Sequence, residues 1–144
     1  MVAYVDSSVL LRYVLLGDVG MRHVMEFPRL VSSELLEIEC RRTVQRCRLQ
    51  GELSDQGLVA AMGRLEETLD MIDLIELDHS MKRRAMGSFP VVVKTLDALH
   101  LSTALRMAEQ DGMANVHVFS HDKAMNLCAR ALGLGAPLLT LAVE

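Results

Sequence analysis

The chain has 144 residues, 51% of them hydrophobic, with a mean hydropathy of +0.24. That suffices for one core in one domain, 1–144, and excludes a disordered chain. The net charge of −4 and pI of about 5.7 argue against a generic basic nucleic-acid binder. Apolar runs are broken by charge well short of the ~20 residues of a membrane span. No basic segment precedes the first strand pattern, so no signal peptide is indicated, and a cytoplasmic protein without membrane contact is expected.

Aromatics make up 3% of the chain and Trp is absent, so no base-stacking platform is expected. Cys40, Cys47 and Cys128 form no CxxC pair and read as small core residues rather than zinc ligands. Ten methionines fill core gaps, with a methionine-rich groove for partner helices as the lesser reading.

In chain order, Val2 to Val5 is a short apolar run that suits a strand buried on both faces. It ends in Asp6, and a helix from Val9 onward is expected, capped by Ser7 or Ser8. Residues 17–20 read as a turn, 21–27 as a short helix and Arg29 to Val31 as a short strand. Ser32-Ser33 caps a long helix to about Gln50, with an apolar stripe of Leu36, Cys40, Val44 and Cys47. Gly51 stops that helix, and Ser54 or Asp55 caps the next, whose stripe is Leu58, Met62, Leu65 and Leu69. Met71 to Leu77 suits a strand, followed by a basic helix with Lys82, Arg83 and Arg84.

Pro90 to Lys94 reads equally as a strand or as an extended lead-in to a helix from Thr95 to about Ala108. Val116 to Phe119 is a strand, Lys123 to Leu132 a helix closed by Gly133, and Leu138 to Leu141 a last strand. This alternation predicts an α/β fold, a three-layer α/β/α sandwich around a mainly parallel sheet.

Two strands run into acids with nearly the same grammar, Val5-Asp6-Ser7-Ser8 and Phe119-Ser120-His121-Asp122. In a parallel sheet both ends lie on one edge, where open α/β sheets form their ligand crevice. Two helices add Glu39 and Asp97, each among apolar residues. Each acid also has a plainer reading: Asp6 and Asp122 as helix caps, Asp97 as a dipole partner, Glu39 as a solvated surface acid. A lone buried carboxylate is costly, and four converging acids repel unless a cation joins them. Four carboxylates without His or Cys form a hard oxygen site for Mg²⁺ or Mn²⁺ rather than zinc. Such a site activates water and stabilises charge on a phosphodiester during cleavage.

At these residues the chain resembles the PIN-domain ribonucleases, specifically the VapC toxins of toxin–antitoxin pairs. The stretches are YVDSSVLLR at 4–12, LVSSELLEIECRR at 30–42, TLDALHLSTAL at 95–105 and FSHDKAMNLCARALGL at 119–134. The second motif is loose; there Glu37 competes with Glu39, and the Glu-x-x-Arg run to Arg42 favours Glu39. The resemblance implies catalytic acids at Asp6, Glu39, Asp97 and Asp122 holding one or two Mg²⁺ or Mn²⁺ ions, with Ser7 and Ser120 supporting them. It also implies endonucleolytic cleavage of RNA such as tRNA or rRNA, a cognate antitoxin protein as inhibitor, and a homodimer.

In so acidic a chain, phosphate contacts must come from local clusters, for which Arg12, the 41–48 arginines and Lys82-Arg83-Arg84 are the candidates. The competing reading is a non-catalytic PIN-like module acting through protein contacts. A haloacid-dehalogenase-type phosphatase is disfavoured because Ser8 stands where its second Asp would be. A response-regulator receiver lacks its mid-chain acceptor Asp and later Lys.

Overall fold

The apolar run Val2–Val5 becomes β1, an interior strand with all four residues buried. The computed structural model describes residues 1–140. β2 (Arg29–Ser33), β3 (Asp73–Ile75) and β4 (Val116–Phe119) join β1 in the order β3-β2-β1-β4. Every pairing is parallel, with Tyr4 opposite Val31 on one side and Val118 on the other. Parallel strands need crossovers, and helices supply them on both faces.

Strand alternation divides the core in two. Ala3 and Val5 of β1 point into a cluster built with Val9, Leu10 and Val14 of α1 (Ser7–Leu16), Leu36, Cys40 and Val44 of α3 (Leu35–Leu49), and Ala61 and Leu65 of α4 (Asp55–Met71). Val2 and Tyr4 point the other way, toward Leu101, Ala104 and Met107 of α6 (Thr95–Asp111) and Met125 and Cys128 of α7 (Lys123–Ala131). The short helices α2 (Met21–Met25) and α5 (His79–Ala85) lie beside α1 and α6 respectively. The result is the expected α/β/α layering. Each fully buried leucine, such as Leu10 or Leu65, contributes roughly 1.5–3 kcal/mol by leaving water. All three cysteines are buried and free, as core residues should be.

Several boundaries differ from the sequence reading. Ser7 opens α1 rather than capping it; Asp6 takes the cap position, yet its side chain makes no capping bond. β2 runs on through Ser32 and Ser33, because Ser32 Oγ donates to the Val5 carbonyl (2.6 Å) and so ties that strand to β1. β3 covers only Asp73–Ile75 of the expected Met71 to Leu77. The valine run is the extended lead-in: Lys94 caps α6 with ψ 165, and Val92 is 94% exposed, with no strand pairing among the described residues. The expected last strand is absent over 138–140, where Leu138 lies in a turn; Leu141 lies outside the described residues. The chain meets the sheet instead at one bridge, Gly135 to His117.

The order β3-β2-β1-β4 positions the site. From β1 the chain moves outward to β2 and β3, then crosses back through α5 and α6 to return on the other side of β1 as β4. Sequence direction reverses between β1 and β4, which is where a crevice opens at the carboxyl ends of such strands. The Asp6 amide donates to the Phe119 carbonyl (3.0 Å), so the two strand ends are locked side by side.

Candidate active site

A cleft of about 450 Å³ opens at that edge, lined by Asp6, Ser7, Ser8, Glu39, Lys94, Thr95, Leu96, Asp97 and Asp122. All four acids singled out from the sequence therefore face one space. A larger recess, about 560 Å³, lies along α3 between Arg42, Gln45, Arg46 and Leu49 and contains no carboxylate.

Asp6 is buried at the end of β1, and hydroxyl donors compensate its desolvation. Its Oδ2 accepts from Ser8 Oγ (2.7 Å) and Ser120 Oγ (2.8 Å). The two serines in turn organise the link that follows β4: Ser8 Oγ accepts from the His121 amide (2.9 Å) and Ser120 Oγ from the Asp122 amide (3.0 Å). Asp122 caps α7, its Oδ1 accepting from the Met125 amide (2.8 Å). Capping and cleft lining coexist in that residue, because each oxygen has its own task.

Glu39 reaches the cleft from α3. Its Oε2 accepts from Ser7 Oγ (3.2 Å) and its Oε1 lies 2.5 Å from His100 Nε2. Glu37, the alternative acid, instead turns to Arg41 (2.7 Å), which also pairs with Glu66. Asp97 sits in the first turn of α6, half-buried. Burial first, and then the neighbouring Asp122 and Asp6 carboxylates, push its pKa up from 3.8 to about 6. Like charges gathered on one cleft disfavour one another's ionised form.

The donor chemistry fits a hard divalent ion, being all oxygen. Among the described residues, no three His, Cys, Asp or Glu side chains gather into a ready-made metal cluster. The acids stand around the cleft, with Asp6, Glu39 and Asp122 held by hydrogen bonds.

The sequence reading missed several participants. Ser8 was seen only as a cap, yet it touches Asp6. Tyr4 and His100 form a buried link behind Glu39, Tyr4 Oη to His100 Nδ1 (2.7 Å). The available signals were a phenol inside a buried strand, which must find a partner, and a histidine three residues after Asp97 on an apolar helix. Lys94 adds positive charge at the rim. Arg12, expected at the site, is exposed and close enough to lower the His121 pKa, after burial has already done so. Other expected basic residues are engaged elsewhere: Arg48 with Asp55 and Arg84 with Glu109.

A cleft lined by four carboxylates thus lies at the topological switch point of a parallel sheet. The PIN domain family model matches residues 3–129, and the chain belongs to that family. No curated protein matches it in sequence. Among solved structures it is similar to Mycobacterium tuberculosis VapC20, described as a sarcin–ricin loop cleaving toxin. The two share 15% identity with a TM-score of 0.58, over 92% of this chain and 95% of that one. At that identity the likeness is one of fold. Among the described residues no helix is long and apolar enough to cross a membrane.

Proposed function

We propose that the chain is a divalent-metal-dependent endoribonuclease, the toxin of a type II toxin–antitoxin pair. Its substrate is RNA, of the structured tRNA or rRNA class; its partners are a cognate antitoxin protein and a second copy of itself, in the cytoplasm. The observation that carries this reading is the set of four carboxylates on one cleft of a PIN-family chain. The fold likeness to a toxin described as sarcin–ricin loop cleaving supports the substrate class.

Asp6, Glu39, Asp97 and Asp122 would hold Mg²⁺ or Mn²⁺. The ion supplies Lewis acidity for water activation and for charge on the phosphate oxygens. The protein supplies the geometry. Ser8 and Ser120 immobilise Asp6, Ser7 orients Glu39, and the Met125 amide fixes one oxygen of Asp122. Asp97 is the acid whose charge is least favourable alone, so it gains most from a cation. Lys94 and Arg12 stand where the RNA backbone would approach, offsetting an acidic cleft that otherwise repels it. In-line attack of water on the phosphodiester leaves 5′-phosphate and 3′-hydroxyl ends.

The test is cleavage of a total tRNA and rRNA pool by antitoxin-free, chelator-stripped protein, with and without Mn²⁺ or Mg²⁺. Asp97→Asn, checked for folding by circular dichroism, runs beside it. Discrete metal-dependent fragments lost in the variant are expected. A 2′,3′-cyclic phosphate product would overturn the hydrolytic mechanism. No metal uptake by calorimetry would return the chain to a binding module.

A further inference from the structure

Behind the cleft runs a line of hydrogen bonds whose direction the chemistry of its members fixes. Tyr4 is fully buried on the central strand, and the Ser33 amide donates to its Oη (3.1 Å). With that lone pair used, the phenol's own hydrogen points to His100 Nδ1, 2.7 Å away. His100 is also fully buried, and its Nε2 lies 2.5 Å from Glu39 Oε1. A carboxylate oxygen only accepts, so Nε2 carries the hydrogen, and in the neutral imidazole Nδ1 is the bare acceptor facing the phenol. Every donor thus points the same way, from the β2 amide through phenol and imidazole to the cleft. Ser7 Oγ donates to the other oxygen of Glu39, so each oxygen has one protein donor and free lone pairs for a further ligand.

We propose that His100 is a positioning residue for cation binding, with Tyr4 setting its tautomer. The glutamate comes from a helix surface, and a side chain with three rotatable bonds would otherwise lose much of its freedom on ligation. The buried imidazole holds it at the cleft in advance. Outer partners of this kind orient a metal ligand and raise its basicity. The inference rests on the reading of Glu39 as a metal ligand.

Two measurements test it. The first is the imidazole ¹⁵N pattern of metal-free protein, with His100 identified by the signal missing in His100→Gln. The Nε2–H tautomer is expected; an Nδ1–H tautomer or a doubly protonated ring overturns the proposal. The second is Mn²⁺ titration calorimetry at about pH 7.5. His100→Phe, which removes the donor, should weaken Mn²⁺ binding about 10–100-fold, while His100→Gln, which keeps a donor, should stay within about threefold of wild type. Tyr4→Phe, which releases the tautomer, should fall between them and keeps the comparison decisive if His100→Phe does not fold. Unchanged or tighter binding in folded His100→Phe or Tyr4→Phe overturns the positioning role alone. Absence of Mn²⁺ binding by the wild type overturns the nuclease reading and this inference with it, and the ¹⁵N pattern still reports on the relay itself.

Discussion

Replacing Asp97 with asparagine should stabilise the metal-free fold while abolishing cleavage. Burial and the nearby Asp122 and Asp6 carboxylates raise its pKa from 3.8 to about 6. A shift of about two units corresponds at most to about 3 kcal/mol, and partial exposure with solvent screening reduces it to about 1–2 kcal/mol. The folded-state value lies above the unfolded one, so protonation favours the fold. The wild type is at its relative best below about pH 4 and loses that advantage as pH rises through about 6. Asparagine never ionises, so its gain is full at pH 7.5 and fades as pH falls toward 4. For a chain of this size the gain corresponds to roughly 3–6 °C in Tm at neutral pH. The assay is urea unfolding followed by circular dichroism in EDTA, at pH 7.5 and 4.5. Equal or lower stability of the variant at pH 7.5, or an equal gain at both values, would refute the argument.

Three further outcomes are expected. Ser120→Ala leaves buried Asp6 with one hydroxyl donor instead of two and should lower stability by about 1–3 kcal/mol in urea titrations, with reduced cleavage. Gly135→Ala places a Cβ 2.3 Å from His117 Nδ1, and the resulting strain should cost about 1–3 kcal/mol, read as a fall in Tm. Arg64 donates from Nε (2.9 Å) and Nη2 (2.6 Å) to the Val14 carbonyl near the end of α1, so Arg64→Ala should cost about 1–2 kcal/mol without changing Mn²⁺ affinity in the calorimeter.

Features written in local pattern were legible from the sequence. β1 and β4 each combine a buried apolar run with an acid and a helix start, and periodicity alone located the Leu36, Cys40, Val44 and Cys47 stripe of α3. The parallel sheet followed from that alternation, and with it the edge shared by Asp6 and Asp122. Features that depend on distant neighbours were not legible. Valine propensity at 91–93 favours a strand, but none pairs with it among the described residues. Leu138 has strand character, yet the bridge at Gly135 takes the sheet contact. Tyr4 and His100 are 96 positions apart and His100 and Glu39 are 61 apart, so no window of sequence displays their contact. The Glu-x-x-Arg run to Arg42 favours Glu39 over Glu37 in the sequence, and Glu39 is the one lining the cleft while Glu37 is turned to Arg41.

The central place of β1 also governs when the cleft exists at all. Of the two hydroxyl partners of Asp6, one lies 2 positions away and the other 114. β1 cannot acquire its β4 neighbour until Val116–Phe119 has emerged, and such long-range pairing is the slow part of folding. A nascent or truncated chain ending before β4 carries Asp6, Glu39 and Asp97 with no wall on which to gather them. Synthesis itself thus delays the assembly of the acid cleft until β4 has been made.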